Sequence, residues 1–340
     1  MENGDEKAMT YSMHKLPRVV ELRGAVSASL ACLYAVLAIG TLSFGVPAMA
    51  QDGARVQPEV IPLWDRDVPL ALGDAEKDIP DLIAYIPQST AKAKQGAIVI
   101  LPGGGYGGLA IDHEGHQIAR WANKMGLAGI IVRYRHRGRG YGHPVPMLDA
   151  QRAIRLVRSR AAEWQIDPTK VGIMGFSAGG HLATTTLTKF DSGKTADSDR
   201  VEQESCRPDF GIVCYAVVAM GESFTHAGSQ RNLLGKEATP ELIKFMSNEK
   251  QVRPDTPPCF IWHTAEDRVV PAENSLRFYS ALVQEQVPAE LHVFSKGRHG
   301  IGLGASVEGA SQWPLLCERW LVRNSFGRVV REEKLKSQGH

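Results

Sequence analysis

The motif GFSAG at residues 175–179 is the part of this sequence whose residue types point most directly to a chemical reaction. It matches the pattern G-x-S-x-G, in which a serine sits on a sharp turn between a strand and a helix. An apolar run, 171–176, leads into the serine, and a helical pattern follows it. Glycine is needed on both sides because side chains there would collide in so tight a turn. This context predicts that Ser177 is a nucleophile.

A serine hydroxyl is a weak nucleophile, so a general base and a group that orients the base must accompany it. His299 is the best candidate base, because it follows the last predicted strand in a glycine-flanked loop. The acid lies between the serine and the histidine in this kind of site. Asp267 fits that order after the predicted strand 259–263, and Glu266 stays open as an alternative. Packing or substrate contact is expected for other histidines: His113, His116, His136, His143, His181 and His263.

A glycine-rich run, LPGGGYGG at residues 101–108, follows the first strongly apolar segment. Glycine allows the backbone to approach a substrate closely, and backbone N–H groups can stabilise a developing oxyanion. We therefore expect an oxyanion hole formed by the amides of Gly104, Gly105 and Ala178. A phosphate-binding loop is disfavoured, because no Lys-Ser or Lys-Thr pair follows the glycines.

The elements that must position these residues alternate between strand and helix. The predicted strands are 82–87, 97–101, 129–132, 171–176, 210–218, 259–263 and 289–294, and the predicted helices are 116–125, 147–164, 178–188, 272–284 and 310–322. This alternation predicts an α/β fold with a mostly parallel sheet and helices on both faces. The segment 220–258, with a short helix at 241–246, is a candidate small cap over the site. Residues 51–80 are expected to form an extended lead-in.

The N-terminal residues differ in character from the rest of the chain. Residues 24–51 carry no charged side chain, basic residues precede them, and small residues stand at 48 and 50. This layout predicts a signal peptide over 1–50, cleaved near Ala50, and a secreted or periplasmic domain over 51–340. An uncleaved membrane anchor stays open as the alternative.

Composition and charge narrow the classes of function. The formal net charge is +2 and no basic stripe is present, so no nucleic-acid partner is expected. The sequence contains no zinc-type spacing of cysteine and histidine, and neither a metal nor a cofactor is expected. Export would permit disulfides, and the cysteines of the mature part are Cys206, Cys214, Cys259 and Cys317. Cys214 and Cys259 lie in apolar runs, which favours buried thiols.

These segments resemble secreted bacterial α/β-hydrolases related to acetylxylan esterases and to bifunctional acetyl/feruloyl esterases that act on plant polysaccharide. The motifs that carry the resemblance are PGGGYGGLAIDHEG (102–115), HPVPMLDAQRAIRLVRSRAAEW (143–164), GFSAGGHLA (175–183), THAGSQRNLLG (225–235), HTAEDRVVPAENS (263–275) and GRHGIGL (297–303). The resemblance implies the α/β-hydrolase fold and a triad of Ser177, Asp267 and His299. It also implies that His226 and Asn232 line the pocket.

The resulting hypothesis is a serine carboxylesterase that hydrolyses short acyl esters, chiefly acetyl, on an acylated carbohydrate such as xylan. A serine peptidase of the prolyl-oligopeptidase type shares the fold and the triad order, although the short chain argues against it. A lipase is disfavoured because 220–258 is polar and offers no long apolar lid. A non-catalytic carbohydrate-binding module of the same fold would be expected to have lost a triad residue.

Overall fold

The computed structural model describes residues 58–87 and 94–327, which form an eight-stranded sheet with the strand order β1-β2-β4-β3-β5-β6-β7-β8. The strands are β1 Glu59–Pro62, β2 Asp81–Tyr85, β3 Gln95–Leu101, β4 Ala128–Arg133, β5 Ile166–Phe176, β6 Gly211–Cys214, β7 Cys259–Thr264 and β8 Ala289–Phe294. The helices are α1 Gln117–Lys124, α2 Val145–Ser159, α3 Ser177–Thr188, α4 Ala227–Leu234, α5 Pro240–Phe245, α6 Glu273–Gln284 and α7 Trp313–Arg323. The pairs β1–β2 and β2–β4 are antiparallel, and the other pairs are parallel.

Helices cover both faces of this sheet. On one face α2, α3 and α6 contribute buried side chains such as Ile154, Leu182 and Phe278. On the other face α1 and α7 contribute Ile118 and Trp313. Central strands enclosed in this way are buried on both sides and therefore read as continuous apolar runs. The predicted α/β fold with a mostly parallel sheet is confirmed.

The lead-in predicted over 51–80 contains a strand, β1, that the sequence analysis did not identify. It pairs with β2 at the sheet edge, and only Ile61 of its four residues is buried. A four-residue edge strand with one buried side chain has too little hydrophobic pattern to be distinguished from an extended loop.

The strand predicted over 210–218 is wrong in its second half, since β6 ends at Cys214. Tyr215 has a φ of +34°, which turns the chain out of the sheet. The amide of Val217 then donates to the carbonyl of Ser177 at 3.0 Å. The buried side chain of Asn274 accepts the next two amides, at 3.0 and 3.2 Å. The apolar run thus continues through the core as a loop whose polar groups are satisfied by its neighbours.

The segment 220–258 contains two helices, of which only α5 was predicted. The other, α4, follows His226, whose Nδ1 accepts a hydrogen bond from the amide of Ser229 at 3.2 Å. Histidine is not one of the usual capping residues, so the start of α4 carries no common sequence signal.

The leader predicted over 1–50 lies outside the described residues. Within the described ranges, no helix combines the length and the apolar content that a membrane span requires. The four cysteines of the described residues, Cys206, Cys214, Cys259 and Cys317, are buried, unpaired thiols, as expected for Cys214 and Cys259. Burial raises the pKa of each of these two thiols.

His181 of α3 is a buried histidine whose two ring nitrogens both lie against polar groups. One ring nitrogen lies 2.9 Å from the hydroxyl of Tyr106, and the other lies 2.8 Å from the carbonyl of Met246. Burial lowers the pKa of His181 from 6.5 to about 3. The unfolded chain therefore takes up a proton below pH 6.5 that the folded protein does not, and the free energy of unfolding falls as the pH is lowered.

We expect His181 to remove about 1.4 kcal/mol of stability per pH unit as the pH falls below its unfolded-state pKa. Urea unfolding measured at several pH values on either side of 6.5 tests this expectation. In His181→Gln the titrating group is gone, and the fall in stability towards acid pH should be shallower by about that amount. An identical pH dependence in the variant and the wild type would contradict the prediction.

Candidate active site

The turn that presents Ser177 joins β5 to α3. Ser177 has a φ of +53°, a left-handed conformation that is strained for a residue other than glycine. A Cβ on Gly175 would lie 2.1 Å from the carbonyl oxygen of Gly179, and a Cβ on Gly179 would lie 2.1 Å from that of Leu101. The turn therefore requires glycine at both positions, in agreement with the reason given for the motif.

Ser177, His299 and Asp267 form one hydrogen-bonded line. Nε2 of His299 lies 2.8 Å from Oγ of Ser177, and Nδ1 lies 2.6 Å from Oδ2 of Asp267. Because a carboxylate only accepts, Nδ1 carries the proton and Nε2 keeps its lone pair for the serine hydroxyl. His299 is therefore oriented to take the serine proton, and the structure brings together the three side chains that the sequence predicted.

Asp267 is a carboxylate, only 5% exposed, that is surrounded by donors. Its Oδ1 accepts hydrogen bonds from the amides of Val269 and Val270, both at 2.9 Å. Nε2 of His263 lies 3.4 Å from its Oδ2. Burial acts to raise the pKa of Asp267, but hydrogen bonds with the two histidines and the Val270 amide bring the pKa well below its ordinary value. The carboxylate thus stays ionised and can stabilise a positive charge on His299.

Glu266, the alternative acid, bonds to other groups. Its Oε1 lies 2.8 Å from Nζ of Lys296, and its Oε2 accepts a hydrogen bond from the amide of Gly297 at 3.2 Å. Glu266 therefore anchors the loop after β8 at Lys296 and Gly297. The imidazole of His299 bonds to Asp267 instead. His263 is fully buried and bonds to Ser275, as expected of a packing residue, and its Nε2 also lies 3.4 Å from the carboxylate of Asp267.

The glycine-rich loop lies directly against the nucleophile, since a Cβ on Gly103 would be 2.9 Å from that of Ser177. The carbonyls of Gly103 and Gly104 accept amides from within the loop region at 2.9 to 3.1 Å. The N–H and C=O of a trans peptide point in opposite directions, so the amides of Gly104 and Gly105 face away from these partners. Among the hydrogen bonds of the described residues, none uses either amide. Both are available to a bound oxyanion.

The amide of Ala178 belongs to the first turn of α3. The first N–H groups of a helix have no acceptor within the helix, and the helix dipole favours negative charge there. The amide of Ala178 therefore lies next to Ser177 without an acceptor inside the helix, which is compatible with the donor role expected for it.

Helix α4 contacts the glycine-rich loop. Nδ2 of Asn232 donates to the carbonyl of Gly105 at 2.8 Å. His226, the residue before α4, is close to the same loop, because its Cε1 would lie 3.9 Å from a Cβ added to Gly105. Because Nδ1 of His226 accepts from the amide of Ser229, a neutral His226 carries its proton on Nε2. Burial, followed by the charge of His299, lowers the pKa of His226 and favours this neutral form.

Two residues beneath the site were missed by sequence reasoning. Glu114 is only 2% exposed and accepts hydrogen bonds from the amide of Gly103 and the hydroxyl of Tyr215, both at 2.7 Å. The ring of Tyr215 packs edge-on against His299, with centroids 5.1 Å apart. An acidic residue in the polar stretch DHEGH resembles a solvated helix start, and only its position after the glycine-rich loop hints at another use. Within the described ranges, no group of three or more potential metal ligands occurs.

The mostly parallel sheet, the serine on a strand–helix turn, and the acid and base after β7 and β8 together define a protein of the α/β-hydrolase class. Within that class, the chain belongs to the BD-FAE family, whose model matches residues 82–282.

Relatives agree with this assignment. The chain is 37% identical over 229 residues to an acetylxylan esterase of Xylanibacter ruminicola, covering 66% of this chain and 44% of that protein. It is 38% identical over 237 residues to endo-1,4-beta-xylanase B of Butyrivibrio fibrisolvens, covering 69% of this chain and 36% of that protein. The chain thus spans less than half the length of either relative.

One solved structure is similar to this chain over nearly the whole length of the solved protein. It is the acetyl ester-xyloside bifunctional hydrolase of Caldicellulosiruptor lactoaceticus, with a TM-score of 0.76 and 42% sequence identity. The match covers 81% of this chain and 99% of that protein. The resemblance inferred from the sequence motifs is confirmed.

Proposed function

We propose that this protein is a serine carboxylesterase that hydrolyses short acyl esters, chiefly acetyl, on an acylated carbohydrate such as xylan. The observation that carries the proposal is the unbroken hydrogen-bonded line from Ser177 through His299 to Asp267. The substrate class is supported by the relatives, whose names include acetylxylan esterase and acetyl ester-xyloside hydrolase.

The first half of the reaction transfers the acyl group to the protein. Oγ of Ser177 attacks the ester carbonyl while Nε2 of His299 takes its proton. Asp267 holds the imidazole by its Nδ1–H and stabilises the imidazolium that forms. His299 then gives the proton to the departing alcohol oxygen as the tetrahedral intermediate collapses. The products of this half are the free alcohol and an acylated serine.

The second half returns the protein to its starting state. A water molecule, deprotonated by Nε2 of His299, attacks the acyl-serine carbonyl. In both halves the amides of Gly104, Gly105 and Ala178 donate to the carbonyl oxygen as its negative charge develops. As the second intermediate collapses, His299 gives its proton to Oγ of Ser177, which restores the hydroxyl and releases the carboxylic acid.

The burial of Ser177 supports a substrate with a short acyl group. Ser177 is only 6% exposed, and Asn232 of α4 donates to the carbonyl of Gly105 in the glycine-rich loop. The low exposure of the nucleophile supports a preference for acetyl over a long acyl chain.

The chain organisation proposed with this function has a leader over 1–50, cleaved near Ala50, and a hydrolase domain over 51–340. The segment 220–258 acts as a small cap, which the contacts of α4 with the glycine-rich loop support. The mature protein is secreted or periplasmic, where it meets acylated carbohydrate. No nucleic-acid partner is proposed, in keeping with the small net charge of +2.

Comparison of ester substrates tests the proposal. On protein beginning at Gln51, we expect p-nitrophenyl acetate to be turned over at least about tenfold more efficiently than the octanoate ester. We also expect acetate release from acetylated xylan, with chemically deacetylated xylan as the control. Preference for octanoate would indicate a lipase, and cleavage of proline-containing chromogenic peptides would indicate the peptidase. Either result, or the absence of any turnover, would contradict the proposal.

A further inference from the structure

We infer that Glu114 is a positioning residue that couples the loop bearing the oxyanion donors to the loop bearing His299. The inference rests on the proposed esterase function and adds to it a residue that never touches the substrate. One buried carboxylate serves both loops, which lie far apart in the sequence.

The first oxygen of Glu114 fixes the glycine-rich loop. Oε2 accepts the amide hydrogen of Gly103 at 2.7 Å. The carbonyl of the same peptide, that of Pro102, accepts a hydrogen bond from the hydroxyl of Tyr134 at 2.7 Å. Both polar ends of this peptide plane are therefore held, and the plane cannot rotate without breaking a buried hydrogen bond.

The fixed peptide adjoins the reacting atoms. Gly103 is packed against Ser177, and the next peptide carries the amide of Gly104. Rotation at Gly103 would turn the Gly104 amide away from the position that an oxyanion occupies. Stabilisation by such donors depends on their being aimed before the charge develops. The hydrogen bond to Glu114 therefore acts on the oxyanion hole.

The second oxygen of Glu114 reaches the loop after β8. Oε1 accepts the hydroxyl hydrogen of Tyr215 at 2.7 Å, and the oxygen of Tyr215 in turn accepts the amide hydrogen of Gly302 at 3.0 Å. The same tyrosine ring packs edge-on against the imidazole of His299. The loop that carries the base is thereby tied, through one tyrosine, to the carboxylate that fixes the oxyanion loop.

A carboxylate suits this position because both groups that hydrogen-bond to it, the Gly103 amide and the Tyr215 hydroxyl, are donors. Nε2 of His113 also lies 3.7 Å from Oε1. An amide side chain of the same shape offers one acceptor and one donor, so in Glu114→Gln either Gly103 or Tyr215 loses its acceptor. Loss of a hydrogen bond to a buried backbone amide displaces the peptide or leaves it unsatisfied. The substitution therefore disturbs the alignment of the loops while leaving the volume of the side chain unchanged.

The test measures Glu114→Gln with p-nitrophenyl acetate and with a trifluoromethyl ketone, whose serine adduct carries an oxyanion. We expect kcat to fall by about ten- to a hundredfold while KM changes by less than about twofold. Affinity for the ketone should fall by a similar factor, and the thermal midpoint should fall by no more than a few degrees, because one buried donor loses its acceptor. The matched control is Asp112→Asn in the same turn, whose carboxylate bonds only to the exposed Gln117 side chain and should leave these values unchanged.

A second variant keeps the test decisive if Glu114→Gln does not fold. Tyr215→Phe keeps the bond to Gly103 but removes the link to Gly302, and we expect kcat to fall about three- to tenfold at unchanged KM. Wild-type kcat in either folded variant would overturn the inference, as would a loss of kcat in Glu114→Gln with unaltered ketone affinity. If the wild type neither turned over esters nor bound the ketone, the proposed function itself would fail.

Discussion

Alanine in place of Ser177 is expected to reduce turnover of p-nitrophenyl acetate by about ten-thousandfold or more, with the protein still folded. The hydroxyl is the only group on this side chain that can form the acyl intermediate. Alanine fits the same space and removes the hydrogen bond to Nε2 of His299. Steady-state kinetics together with the thermal midpoint measure the two parts of this prediction.

A matched control separates catalysis from folding in that experiment. Ser159 lies at the end of α2, and its hydroxyl donates to the carbonyl of Leu156 at 2.9 Å. Ser159→Ala should retain wild-type turnover. Turnover near the wild-type rate in Ser177→Ala would show that another residue is the nucleophile.

Asparagine in place of Asp267 is expected to lower kcat by about a thousand- to ten-thousandfold, with KM little changed. The amide group of asparagine can donate to Nδ1 of His299, which moves the imidazole proton to Nε2. In that tautomer the base faces Ser177 with a hydrogen in place of a lone pair. The asparagine would still contact His263, but that contact does not return the lone pair to Nε2 of His299.

Glu266→Gln is the control for the acid. Its carboxylate bonds to Lys296 and to the amide of Gly297, so we expect kcat within about threefold of the wild type. If Glu266→Gln lowered kcat more than Asp267→Asn does, the catalytic acid would be Glu266, and the hydrogen bond between Asp267 and His299 would not serve catalysis.

The meeting of Ser177, His299 and Asp267 could be predicted from sequence because each of these residues follows a locally encoded strand. The strand–turn–helix pattern around Ser177 is contained within about a dozen residues, and the order of the acid and base follows from the sheet topology that it implies. The glycines at 175 and 179 help to predict the turn for the same reason. A Cβ added at either position would lie 2.1 Å from a backbone oxygen, so the requirement for glycine is steric and arises within the turn and its neighbouring loop.

Features fixed by distant partners could not be predicted in the same way. β6 ends at Cys214 because the next residues bond to Ser177 and Asn274, from two other parts of the chain. β1 exists because β2 supplies a partner at the sheet edge. Such partners are not encoded in the local hydrophobic pattern. The strand predicted from that pattern over 210–218 was therefore too long, and β1 was not predicted.

Glu114 illustrates the same limit within the site. Its surroundings, Gly103 from one loop and Tyr215 from another, come together only in the folded chain. By sequence alone it is one carboxylate in a polar stretch, and burial is what gives it a role. His226 and Asn232 were singled out by family resemblance, whereas the hydrogen bond from Asn232 to Gly105 is a property of the fold.

Labelling with a fluorophosphonate, followed by mass spectrometry of the peptides, tests whether Ser177 is the nucleophile. We expect about one equivalent of adduct per chain, attached to Ser177, because an activated serine beside an oxyanion hole attacks phosphorus as it does an ester carbonyl. Labelling should disappear in Ser177→Ala and slow strongly in Asp267→Asn. An adduct on a different residue, or the absence of any adduct on folded wild-type protein, would contradict this assignment.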